Sequence, residues 1–76
     1  MTELEWRRAF SDRLSIMMRR GNISRRGLAR ASGLTEVAIG YYLTARKTPN
    51  FKSIINLAYA LCCTVEDLID FGEDIQ

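Results

Sequence analysis

The sequence predicts an all-α fold, a compact domain of five helices. Three observations predict it. Apolar residues recur at steps of three and four instead of alternating. Proline occurs once in 76 residues, and the β-branched residues form no strand-like run. Five residues of N-cap type, Thr2, Ser24, Thr35, Asn50 and Thr64, each stand just ahead of an apolar segment with helical spacing.

Thr2 followed by Glu5 is a capping-box pattern, so the first helix is expected to begin at Glu3. Trp6, Phe10, Leu14 and Met17 then form one apolar stripe. Arg19 and Arg20 suit the negative helix end, and Gly21 is expected to take the left-handed stop. Ser24 caps a second helix with Leu28 and Ala29 facing inward, ended by Gly33. Thr35 caps a third, with Ala38, Ile39 and Tyr42 inward and Leu43 at the edge. "TARKTPN" reads as a polar loop in which Pro49 holds the chain extended. Asn50 caps a fourth helix whose buried side is Ile54, Leu57, Ala58 and Leu61. Thr64 caps a short fifth helix carrying Val65, Leu68 and Ile69, with Glu66 and Asp67 at its positive end. No linker or repeat divides residues 1–76, so a single domain is expected.

Composition narrows the function. Histidine is absent, which excludes Ser-His-Asp, Cys-His and His-metal sites. Neither an enzyme nor a cofactor or small-molecule site is expected. Cys62 and Cys63 are adjacent, so their side chains point apart and a reduced, buried pair is expected. No apolar run approaches the roughly 20 residues of a membrane span, and "MTELEWRR" is no signal peptide. A cytoplasmic protein is expected. The net charge of +2 hides a polarity. From Arg13 to Lys52, nine basic residues face one acid, Glu36, whereas the flanks set two arginines against eight acids. A basic middle beside an acidic end favours a polyanionic partner.

Between Ser24 and Leu43 the spacing is that of a helix-turn-helix. Ala29 is small where two helices cross, Gly33 allows the sharp turn, and Ile39 pins the second helix to the first. "LSIMMRRGNISRRGLARASGLT" followed by "IGYYLTARKTPNFKSIINLAYALCCTVEDL" resembles the helix-turn-helix family of lambda repressor and Cro, the Cro/CI type. The likeness runs from about Phe10 to Leu68. It implies a lambda-repressor-like fold and sequence-specific binding of double-stranded DNA by a homodimer, with half-sites about one helical turn apart.

The resemblance implies base-facing side chains at Glu36, Val37, Gly40 and Tyr41. Glu36 either accepts from a cytosine amino group or simply suits the helix dipole. Val37 is placed to touch a thymine methyl, and Tyr41 to meet a phosphate or a base edge. Gly40 either leaves room for a sugar-phosphate or the Tyr41 ring, or is a tolerated surface glycine. Phosphate contacts are expected from Arg25, Arg26, Thr35, Thr44, Arg46, Lys47, Asn50 and Lys52. Arg7, Arg8 and Arg13 are read as solvated. Dimer contacts are expected from Leu68, Ile69, Phe71 and Ile75, or from the first helix through Trp6.

Departures from the family pattern carry information. Arg25 replaces a common glutamine that steadies a phosphate. Met18 and Leu43 replace a common Arg–Glu pair; a coupled exchange of an ion pair for packed hydrophobes is tolerated, so direct contact between them is expected. Ala45 and Cys62 stand where the family has glycine after two helices. If either keeps a left-handed conformation it costs about 1 kcal/mol. The leading expectation is a small transcriptional regulator of phage or mobile-element type, a dimeric repressor reading the major groove with its third helix. The alternative is a protein-binding module on the same scaffold, such as an antitoxin or anti-repressor.

Overall fold

The computed structural model describes residues 1–72. Five helices follow one another: α1 (Glu3–Arg20), α2 (Arg25–Ser32), α3 (Glu36–Leu43), α4 (Phe51–Ala60) and α5 (Val65–Ile69). All five expected residues are the N-caps. In α1 the Thr2 N–H donates to Glu5 Oε1 at 2.8 Å while Thr2 Oγ1 accepts from the Glu5 N–H at 3.1 Å. Ser24, Thr35 and Asn50 accept from the backbone of Gly27, Ala38 and Ser53. Thr64 and Asp67 form a second reciprocal box. Each cap satisfies a donor that the helix itself leaves without a partner.

The end of α1 differs from expectation by one residue. Gly21 is right-handed at φ −82°, and Asn22 takes the left-handed conformation at φ 50°. Ala45 (φ 58°) and Cys62 (φ 55°) do the same after α3 and α4. At each of these ends the following N–H reaches back five residues: Ile23 to the Met18 carbonyl, Arg46 to Tyr41, Cys63 to Ala58. This is the Schellman arrangement, which closes three helices with a non-glycine residue at its left-handed position. α2 ends as read, on Gly33 at φ 75°, and Ala45 and Cys62 keep the left-handed conformation that was left open for them.

α1 packs on α3 and α5, α2 on α3 and α4, and α4 on α5. Phe10, Leu14, Leu28, Ile39, Leu57 and Leu68 are the largest fully buried side chains. Trp6 stacks on Phe10 at 5.4 Å, and Phe10 meets Tyr42 edge-on at 6.3 Å. Leu61 is half-buried. Cys62 is exposed and Cys63 half-buried, so the cysteines are free but not a buried pair: the left-handed turn at Cys62 throws its side chain outward. Burial pushes the Cys63 thiol up, and Asp67 adds to the shift.

Leu68 is fully buried and offers no surface to a second chain. Phe71 folds back edge-on against Trp6 at 5.6 Å, and Ile69 packs against the core. Leu68 thus serves the chain's own interior, contrary to its reading as a dimer contact, whereas Ile69 and Phe71 are half-buried and keep part of their surface outward. Ile75 lies outside the described residues. Met18 is buried in the core and Leu43 half-buried beside it; both line one cleft between α1, α2 and α3.

Candidate nucleic-acid interface

The basic loop after α3 is held from behind by α1. The Ser11 hydroxyl donates to the Leu43 carbonyl, and Arg7 Nη1 donates to the carbonyls of Arg46 at 2.9 Å and Ala45 at 3.4 Å. Glu3 Oε2 accepts from the Thr48 hydroxyl at 2.9 Å and pairs with Arg7 Nε at 3.7 Å. Carbonyls at a helix end carry partial negative charge, so a guanidinium there is favourable. Arg7 is therefore a brace for the loop and not a solvated cation. Arg13 is likewise engaged, its Nε donating to the Asp67 carbonyl at 2.8 Å. Sequence periodicity carried no sign of either contact; the uncapped carbonyls expected where α3 runs into a loop were the available hint.

On the other side of that loop, six of the expected site residues line a single open cleft of about 310 Å³: Arg25, Val37, Gly40, Tyr41, Thr44 and Arg46. Val37, exposed at 63%, projects from the first turn of α3. A Cβ built on Gly40 would stand 3.1 Å from Arg25 Nη1 and 3.5 Å from its Cζ. The space at Gly40 thus belongs to the Arg25 guanidinium, which lies across α3. Lys47 Nζ sits 5.0 Å from the centre of the Tyr41 ring, a cation–π contact joining the loop to α3.

The remaining expected residues do not line the cleft. Glu36 and Arg26 are exposed at the starts of α3 and α2. Thr35 and Asn50 use an oxygen for capping, which leaves the Thr35 hydroxyl proton and the Asn50 amide group free to donate. The Thr44 hydroxyl donates to the Gly40 carbonyl at 2.8 Å, so toward an anion it has no proton to offer without breaking that bond. Lys52 is exposed on the first turn of α4.

A helix carrying small and apolar side chains, flanked by guanidinium and ammonium groups, matches the combination of base reading and phosphate gripping. The Cro/C1-type HTH DNA-binding domain family matches residues 13–74. The chain belongs to that family. Among solved structures it is similar to the restriction-modification controller protein C.AhdI from Aeromonas hydrophila, at 26% identity and a TM-score of 0.79, over 82% of this chain and 94% of that one. No curated protein sequence matches. The family match begins at Arg13, so Glu3, Arg7 and Ser11, which brace the loop, precede it. No helix among the described residues is long and apolar enough to cross a membrane.

Proposed function

We propose that this chain binds double-stranded DNA sequence-specifically as a homodimer and regulates transcription, laying α3 in the major groove. The observation that carries the reading is the single cleft in which Val37, Gly40 and Tyr41 of α3 adjoin Arg25 and Arg46. Val37 meets a thymine methyl, and Tyr41, steadied by Lys47, meets a base edge or phosphate. Glu36 accepts from a cytosine amino group and repels sequences lacking one. Arg25, Arg26, Arg46, Lys47, Lys52 and the donors of Thr35 and Asn50 grip phosphates on either side. Thr44 contributes through the helix end it closes.

Its place of action is the cytoplasm, and its mode is repression at an operator of phage, mobile-element or restriction–modification type. Likeness to C.AhdI supports the last of these settings. Selection of bound duplexes from a random pool tests the proposal. A palindromic consensus with half-sites about one helical turn apart is expected. A pool with no enriched sequence would refute base reading by α3.

A further inference from the structure

Val37, Gly40, Tyr41 and Thr44 follow at helical spacing along α3, so they share the face that lines the cleft. That face is short of hydrogen-bond donors. The side chains of Val37 and Gly40 carry none, and the Thr44 hydroxyl donates inward to the Gly40 carbonyl at 2.8 Å. Tyr41 offers a single hydroxyl. In the middle of the face, where residue 40 has no side chain, lies the Arg25 guanidinium. Its Nη1 is 3.1 Å and its Cζ 3.5 Å from the place a Cβ would take. A side chain of α2 thus stands where a reading side chain of α3 would otherwise stand. Arg25 is exposed, and among the described residues no carboxylate pairs with it. No internal ion pair holds the guanidinium there.

We infer that Arg25, reaching across the gap at Gly40, reads a guanine in the major groove as well as gripping phosphate, so that part of the sequence specificity is set from α2. This role rests on α3 entering the groove as proposed above. Guanine presents two acceptors there, O6 and N7, and the planar guanidinium fork meets both at once. A guanidinium has five donors, so two on the base leave three for a phosphate. The neighbouring cations are placed differently. Arg46 enters the cleft from the loop beyond α3, and Lys47 Nζ lies 5.0 Å from the centre of the Tyr41 ring. An ammonium, moreover, has no fork. Glycine weakens a helix, and at position 40 it keeps the guanidinium on the reading face. Any larger residue there would push Arg25 aside and leave the face with the Tyr41 hydroxyl alone.

Duplex selection by wild type and by Arg25→Lys, side by side, tests this role. Lysine keeps the charge and lacks the fork. Wild type is expected to enrich a guanine at one position of each half-site. Arg25→Lys is expected to lose that preference while keeping the wild-type salt slope and helical circular dichroism. A second measurement uses 7-deazaguanine at the enriched position of the wild-type consensus. It removes N7 and leaves untouched the cytosine amino group that Glu36 would accept from, so the two readers are told apart. Wild-type affinity should fall at least about fivefold, the lower bound for a two-pronged base contact, and Arg25→Lys affinity should not respond. Gly40→Ala should lose the same guanine preference and, combined with Arg25→Lys, cost no further affinity. A wild-type consensus without guanine, one that Arg25→Lys enriches unchanged, or an equal response of both proteins to 7-deazaguanine would each overturn the role of Arg25 and leave base reading by α3 standing. Failure of the DNA-binding reading would look different: wild type would enrich no sequence, and Arg25 would have no base to read.

Discussion

Gly40 lacks a side chain where the Arg25 guanidinium rests, with 3.1 Å between Arg25 Nη1 and the position a Cβ would take. Glycine inside a helix costs about 1 kcal/mol relative to alanine, and the neighbour that must yield is the far end of a flexible side chain. Gly40→Ala should therefore raise the melting temperature by several degrees, at about 4–8 °C per kcal/mol for a domain of this size. The same change displaces Arg25 and should weaken binding to a selected duplex. Thermal melts and titrations on one preparation check both signs; a lower melting temperature would mean that the guanidinium cannot move aside. Arg7 gives a complementary case. Its Nη1 holds the Ala45 and Arg46 carbonyls from the side of α1, so Arg7→Ala should loosen the loop and lower affinity while every phosphate keeps its cation. The slope of log affinity against log salt should stay as in wild type, whereas Arg46→Ala should flatten it by about 0.9 for each phosphate left without its cation.

At the scale of elements, the chain was legible where the information is local. A cap needs one side chain and an N–H two or three residues on, and all five N-caps were readable from Thr2, Ser24, Thr35, Asn50 and Thr64. The Schellman ends were less so. Glycine is the usual left-handed residue, which drew attention to Gly21, but Asn22 tolerates that conformation and takes it. Ala45 and Cys62 hold it against a cost of about 1–2 kcal/mol, while glycine there would give back about 0.4–1 kcal/mol through its freer unfolded chain. Ala45→Gly and Cys62→Gly should each raise the melting temperature by a few degrees, and Asn22→Gly should change it less. The two capping boxes set an acid limit. Hydrogen bonds from Thr2 hold the Glu5 carboxyl below its usual range, and those from Thr64, with a smaller contribution from Arg13, do the same for Asp67. A lowered folded-state pKa adds stability above the ordinary carboxylate value, lost as pH falls below about 4 through the depressed one. Glu5→Gln together with Asp67→Asn should flatten the fall of melting temperature across that acid range, measured by circular dichroism.

Across the whole molecule, pairings between distant segments escaped the sequence. Periodicity marks α5 and Phe71 as apolar but not what they cover; only the fold shows Leu68 in the core and Phe71 turned onto Trp6. Nor could spacing place Arg7 against a carbonyl 39 residues away. The charge polarity was readable, because it is a property of composition along the chain: Arg25, Arg26, Arg46, Lys47 and Lys52 are all exposed, and Glu66 and Asp70 lie at the other end of the sequence. Each cation that meets a phosphate releases counterions and steepens the salt dependence by about 0.9 in log–log slope. If these five cations all bind phosphate in both copies of a dimer, the slope approaches about −9. Replacing Arg25 and Arg46 by alanine in each copy should remove about 3.6 of it, while a protein-binding module on the same scaffold would show a slope near zero in wild type and nothing to lose in the double variant. Fluorescence anisotropy of a labelled duplex over a salt series separates the two. Because the slope reports how many phosphates are neutralised, while a fold defect lowers active concentration at every salt, the reading survives a partly destabilised variant.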